Sequence, residues 1–249
     1  MTQSALKLPE WMTVVPDLDA LNHAAANEFV SCATAAIRAQ GRFTVALSGG
    51  KTPRAIYSLL AEKFADSVPW HQVFVFFGDE RHVPPDDPGS NYRMANEAFL
   101  CRVPIPAKNV HRIQAELPAT MAADQYQATL QEFFSFQNGR FPRFDLVMLG
   151  MGEDGHTASL FSGTTALDEN SRLVVANRVE KLQTDRITLT FPVLNAAAEV
   201  MVAIAGQNKA RVVRDIVNSP QENLYPIQRV HPNDGRLLWL VEQTAASLL

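Results

Sequence analysis

The chain has 249 residues, of which 47% are hydrophobic and 19% are charged, a composition that predicts a packed core rather than disorder. With 22 Lys and Arg against 26 Asp and Glu, its formal charge is −4, which argues against a general binder of nucleic acid or of membrane surfaces. Its two cysteines, Cys32 and Cys101, lack the spacing of a zinc site or a disulfide framework. No apolar segment approaches the roughly 20 residues of a membrane span. We expect one cytoplasmic domain over residues 1–249.

Apolar periodicity divides the chain into alternating helices and strands. In chain order we predict helix 18–41, strand 43–47, helix 52–64, strand 73–77, helix 91–100, a short strand 110–113, helix 121–136, strands 144–149, 173–179, 186–191 and 199–205, helix 208–218 and strand 236–241. Thr52 and Asn91 are the predicted N-caps of their helices. This alternation predicts a single-domain, Rossmann-like α/β fold with a mainly parallel sheet and helices on both faces.

Three turns that contain glycine follow the predicted strands that end at residues 47, 77 and 149. The carboxyl ends of parallel strands lie at one edge of a sheet, where α/β proteins bind their ligands. We therefore expect these turns to converge on one site.

Two glycine motifs in these turns resemble cofactor-binding loops without matching them. Gly150-x-Gly152-x-x-Gly155 has the dinucleotide-binding spacing, but residues 173–177, in the next predicted strand, provide no acidic group for a ribose. Gly50-Lys51-Thr52 has the end of a Walker A loop, but the glycine needed five positions earlier is Val45. We expect no nucleotide cofactor, and no cluster of residues has the spacing of a metal site.

Several polar residues in and near these turns have the chemistry to hold a phosphate group. The first turn precedes a helix, and its glycines let backbone N–H groups approach an anion; it consists of Ser48, Gly49, Gly50, Lys51 and Thr52. Lys209 lies in the first turn of a predicted helix, where a cation is unfavourable unless an anion compensates for it. Arg186 shares a strand face with Thr188 and Thr190. Each feature alone fits an ordinary turn or a surface charge, whereas together they favour a phosphate pocket.

The other two turns carry ionisable groups suited to catalysis. Asp79 and Arg81 share one side of an extended chain, so Arg81 could stabilise negative charge and Asp79 could orient a hydroxyl group, although a strand-end salt bridge is the alternative. His156 could act as a general base, with Asp154 fixing its tautomer. No serine lies in a nucleophile elbow and neither cysteine is in an activating context, so water is the expected nucleophile.

Together these segments resemble the 6-phosphogluconolactonase family, which shares its fold with glucosamine-6-phosphate deaminases. The matching segments are residues 46–53, 77–84, 90–92, 149–161, 186–192 and 206–209. The resemblance implies hydrolysis of 6-phosphoglucono-1,5-lactone to 6-phosphogluconate, a step of the oxidative pentose phosphate pathway, with no metal or organic cofactor. It also implies that the 48–52 loop, Arg186 and Lys209 hold the phosphate, that His156 activates water with support from Asp154, and that Arg81 assists at the lactone.

Two alternatives to a lactonase stay open from the sequence. In the deaminases the histidine motif continues Ile-Ala-Phe-Asn-Glu, whereas His156 is followed by Thr-Ala-Ser-Leu-Phe and the next glutamate is Glu169, which favours the lactonase. A sugar-phosphate sensor would bind without turnover and would carry a DNA-binding segment, for which residues before 17 give no sign. We expect a small-molecule substrate, neither nucleic acid nor membrane as a partner, and a monomer or weak homo-oligomer.

Overall fold

The computed structural model describes residues 8–135, 140–219 and 224–249. The helices in these ranges are α1 Leu18–Gln40, α2 Lys51–Lys63, α3 Asn91–Ala98, α4 Ala119–Phe134, α5 Phe191–Asn195 and α6 Ala210–Asn218. The strands are β1 Met12–Val15, β2 Phe43–Leu47, β3 Val73–Phe77, β4 Asp79–Arg81, β5 Leu146–Leu149, β6 Val174–Val179, β7 Thr184–Leu189, β8 Glu199–Ile204 and β9 Arg236–Glu242. None of the described helices is long and apolar enough to cross a membrane.

A six-stranded parallel sheet in the order β1-β9-β8-β5-β2-β3 forms the centre of the molecule. The chain moves outward from β2 to β3, then returns to the other side of β2 as β5, so the strand order reverses between β2 and β5. Crevices at the carboxyl ends of strands beside such a reversal are the usual ligand sites of α/β proteins. The predicted α/β class with a mainly parallel sheet is confirmed.

A second sheet of three antiparallel strands, in the order β4-β7-β6, was not predicted. Gly78 connects the two sheets, because its N–H donates to Leu47 O of the large sheet (2.8 Å) and its C=O accepts from Leu189 N of the small one (2.8 Å). The predicted strands at 173–179 and 186–191 therefore lie outside the parallel sheet. The second of them also ends earlier than predicted, since Phe191 begins α5.

Helices cover the large sheet on both faces, as predicted. Side chains of β3 alternate, so Phe74 and Phe76 face one side, where each packs against Phe133 of α4 with ring centroids 5.0 Å apart. Phe77 faces the other side and packs against Tyr92 of α3 at 5.9 Å.

Several predicted boundaries differ from those observed. Gly50, not Thr52, precedes the first residue of α2, and Ser90, not Asn91, caps α3 by accepting from Arg93 N. Residues 110–113 form an isolated bridge from Val110 to Val75 rather than a strand. Strand β1 was not predicted, and the predicted helix end at Phe136 lies outside the described residues.

Candidate active site

Two adjoining cavities of about 570 and 540 Å³ lie at the carboxyl edge of the large sheet. The predicted site residues that line both cavities are Asp79, Arg81, His156 and Lys209. The 48–52 loop lines only the first cavity, whereas Asp154 and Arg186 line only the second. Every predicted site residue therefore lies at one of the two cavities, but Arg186 and the 48–52 loop do not share one. Lys209 and Arg81 lie between them.

The loop after β5 folds back on itself to present His156. Gly152 N donates to His156 O (2.8 Å) and Gly155 N donates to Gly152 O (3.1 Å), which closes the loop. A Cβ at Gly152 would lie 2.0 Å from His156 Nδ1, and Gly155 has φ +73° with Tyr225 packed where its Cβ would be. The glycines that resemble a dinucleotide motif thus make room for the histidine and for a left-handed turn.

His156 and Asp154 form a close pair in this loop. Asp154 Oδ1 lies 2.5 Å from His156 Nδ1 and accepts from His156 N at 3.2 Å. Because an ionised carboxylate can only accept, Nδ1 carries the proton and Nε2 is the basic nitrogen of the neutral ring. The ring also stacks on Phe161, with centroids 4.0 Å apart.

Burial and nearby cations keep His156 neutral. The pKa of His156 is lowered to about 4, mainly by burial and also by Lys209, Arg186 and Arg81, while Asp79 opposes this lowering. At pH 7 the imidazole is therefore unprotonated and can accept a proton. The same cations make the surroundings of His156 attractive to an anion.

Strand β4 holds Asp79 and Arg81 on the cavity side, as their alternation predicted. The Asp79 carboxylate accepts from Ser159 Oγ (2.6 Å) and from Asn91 Nδ2 (3.3 Å), which fixes its orientation. Arg81 Nη1 donates to Gly89 O (2.6 Å). In the register of the small sheet, Arg81 lies opposite Arg186.

Glu80, between these two residues, has a structural role that the sequence analysis missed. Its buried carboxylate accepts from the backbone N–H groups of Arg81, Asn91 and Tyr92 at 2.7–2.8 Å and from Ser90 Oγ at 3.1 Å. Burial raises the pKa of Glu80, while these donors oppose that rise. The Glu80 carboxylate complements the dipole of α3 at its start, but Glu80 lies in β4 and a loop separates it from the helix, so no local pattern indicated this role. Glu80 fixes the segment that carries Arg81.

The 48–52 loop and Lys209 both lie at helix N-termini. Helix α2 begins at Lys51 without a side-chain cap, so its first N–H groups are available to an anion. Lys209 ends the short turn Gln207–Lys209 and immediately precedes α6, so the predicted helix begins two residues later than Asn208 and Lys209 lies at its cap rather than in its first turn. Burial lowers the pKa of Lys209, and burial together with Arg81 lowers that of Arg186. Burial makes the charged forms of both side chains less favourable, and a bound phosphate stabilises those charged forms.

A group of potential metal ligands lies far from these cavities. Ligand atoms of Glu28, Cys32 and Glu199 lie within 4.8 Å of one another, near the start of β8. Arg236 donates to both carboxylates, so each of them already has a cationic partner. Among the described residues, no comparable ligand group lies at the two cavities.

Comparisons with known proteins show the family of this chain. The family described as glucosamine-6-phosphate isomerases/6-phosphogluconolactonase matches residues 16–239. A 6-phosphogluconolactonase of Nostoc sp. is 43% identical over 239 residues, which cover 95% of this chain and 97% of the relative. The structure of 6-phosphogluconolactonase from Trypanosoma cruzi is similar with a TM-score of 0.87, 28% identity and 99% of each chain covered. A monomeric glucosamine-6-phosphate deaminase shares the fold, with a TM-score of 0.80 and 16% identity over 96% of this chain and 99% of its own. The chain therefore belongs to the glucosamine-6-phosphate isomerase/6-phosphogluconolactonase family.

Proposed function

We propose that the chain hydrolyses 6-phosphoglucono-1,5-lactone to 6-phosphogluconate. The observation that carries this proposal is the His156–Asp154 pair, 2.5 Å apart, at a cavity where Lys209, Arg186 and Arg81 surround the imidazole. A general base beside a cluster of cations fits a substrate that has an electrophilic carbonyl and a phosphate group. The relative that is 43% identical is itself a 6-phosphogluconolactonase.

In this mechanism His156 Nε2 removes a proton from a water molecule that attacks C1 of the lactone. The tetrahedral oxyanion is stabilised by Arg81 and by backbone N–H groups. Protonated His156 then gives its proton to the ring oxygen as the C1–O bond breaks, which yields the carboxylic acid and the C5 hydroxyl group. Asp154 stabilises the imidazolium formed between the two steps.

The phosphate group positions the lactone and strengthens the base. Lys209, Arg186 and the N–H groups of the 48–52 loop are the proposed ligands, and their binding energy holds C1 within reach of the activated water. Burial is the main cause of the lowered pKa of His156, and a bound dianion offsets the additional lowering by the nearby cations. His156 is then a stronger base in the complex than in the empty site. Asp79, fixed by Ser159 and Asn91, orients a hydroxyl group of the sugar.

The test is a coupled assay in which released 6-phosphogluconate is oxidised by its dehydrogenase. The purified protein should accelerate lactone hydrolysis far above the spontaneous rate, and it should release no ammonia from glucosamine 6-phosphate. Ammonia release without lactone hydrolysis would instead support a deaminase. We further propose that residues 1–249 act as one domain, as a monomer or weak homo-oligomer, in the cytoplasm; sedimentation and cell fractionation test these points.

A further inference from the structure

A lysine outside the predicted site contacts both neighbours of His156. After β6 the turn Glu180–Leu182 brings Lys181 to the rim of the second cavity. Lys181 Nζ forms an ion pair with Asp154 Oδ2 and lies 4.7 Å from the centre of the Phe161 ring. Phe161 in turn stacks on the imidazole of His156.

The two oxygens of Asp154 are divided between these partners. Oδ1 faces His156 Nδ1, and Oδ2 faces Lys181 Nζ. The Asp154 side chain is 42% exposed, so water competes for it, and its two contacts with His156, to N and to Nδ1, both involve Oδ1 and leave Oδ2 unheld. The ion pair fixes the carboxylate from the opposite side. It also connects the β5 loop to the β6–β7 hairpin, which carries Arg186.

We propose that Lys181 is a positioning residue, which holds Asp154 and Phe161 so that the imidazole of His156 stays aligned for proton transfer. This inference rests on the proposed function for its kinetic consequences, but not for its structural ones. Lys181 acts through Asp154 and Phe161 and does not contact the reacting atoms.

Lys181 also affects the charge near His156. The ionisable groups around the imidazole are Asp79, Arg81, Asp154, Arg186, Lys209 and, through Asp154, Lys181. Removing the ammonium group leaves the carboxylate of Asp154 uncompensated. Protonation of His156 is then more favourable, and its pKa should rise by about half a unit.

The variants Lys181→Met and Lys181→Arg test the inference, since methionine keeps the length without the charge and arginine keeps the charge. Lys181→Met should lower kcat about tenfold with KM changed less than about threefold, because alignment rather than substrate binding is lost. Lys181→Arg should retain most of the wild-type kcat. The matched control is Lys108→Met. Lys108 is an exposed lysine in the turn Ala107–Asn109, which lies beside the start of β3, at the edge of the sheet opposite to the two cavities. This variant should behave as wild type.

Unphosphorylated glucono-1,5-lactone separates positioning from direct phosphate binding. A positioning role predicts that Lys181→Met lowers kcat about equally on both lactones. A rise in KM for the phosphorylated lactone alone, with kcat unchanged, would overturn the inference, as would kinetics identical to wild type.

A titration of His156 followed by NMR gives a readout that needs no activity. Lys181→Met should raise the pKa of His156 and broaden the Nδ1–H signal, whereas Lys108→Met should change neither. An unchanged titration in Lys181→Met would refute the positioning role. If the wild type titrates as expected but does not accelerate lactone hydrolysis, the proposed function fails while the inference about Lys181 is still decided by the titration.

Discussion

Gly152→Ala adds one methyl group beneath the imidazole of His156. The new Cβ would lie 2.0 Å from His156 Nδ1, 2.2 Å from Cε1 and 2.7 Å from Asp154 Oδ1. Carbon and nitrogen atoms in ordinary contact stay about 3.5 Å apart, so the ring must move by more than about 1 Å. Since φ of Gly152 is not in the left-handed region, the backbone accepts alanine and the damage is confined to the side chains. A general base displaced by about 1 Å costs on the order of 100-fold in rate.

The assay compares kcat for the phosphorylated lactone with the midpoint of thermal unfolding. Gly152→Ala should lower kcat about 100-fold while the protein stays folded, because the methyl group displaces a side chain and not the core. Gly150→Ala is the matched control for displacement of the imidazole, since the same loop gains the same group at the wall of the first cavity but its Cβ would meet no protein atom within 4 Å. Its kcat should stay within about threefold of wild type. If Gly152→Ala were as active as the control, the placement of His156 as the base would be wrong.

Three further predictions concern pH, stability and substrate binding. Because the pKa of His156 is lowered to about 4, the basic form persists from neutral pH downward, and kcat/KM for the unphosphorylated lactone should fall only as the pH approaches that value; a fall centred on the ordinary 6.5 would contradict this. Gly155→Ala should destabilise the fold by about 1–3 kcal/mol in chemical denaturation, because φ is +73° and the Tyr225 ring lies 2.5 Å from the added Cβ. Lys209→Met should raise KM for the phosphorylated lactone about tenfold or more and leave KM for the unphosphorylated lactone unchanged, because only the phosphorylated lactone contacts Lys209 through a phosphate group.

The sequence correctly predicts the strands that are specified by residues close together in the chain. Strands β2 and β3 have the predicted bounds, because each is a buried apolar run that ends at a glycine turn. Parallel strands place their carboxyl ends together, so the turns that follow β2, β3 and β5 meet at the predicted edge. The side chains of these turns lie at the two cavities for the same reason.

Features that depend on distant pairing were not predictable. Strand β4 is Asp79-Glu80-Arg81, without apolar alternation, and it is a strand only because β7, more than a hundred residues later, pairs with it. The cap of α3 shows a similar limit: Ser90 and Asn91 are both good cap residues, and the observed choice leaves Asn91 N to donate to Glu80. The contact of Lys181 with Asp154 was not predictable because the two residues lie in different loops that are distant in the chain.

The most direct test of the account is the rate of His156→Gln on 6-phosphoglucono-1,5-lactone, with the spontaneous rate subtracted. Glutamine keeps a side chain of similar length and polarity but cannot accept the proton of water. We expect a loss of about 100- to 10,000-fold in kcat with the fold retained, since general-base catalysis contributes roughly 10²–10⁴-fold. Hydrolysis by His156→Gln at the wild-type rate would contradict the central claim that this histidine activates the attacking water.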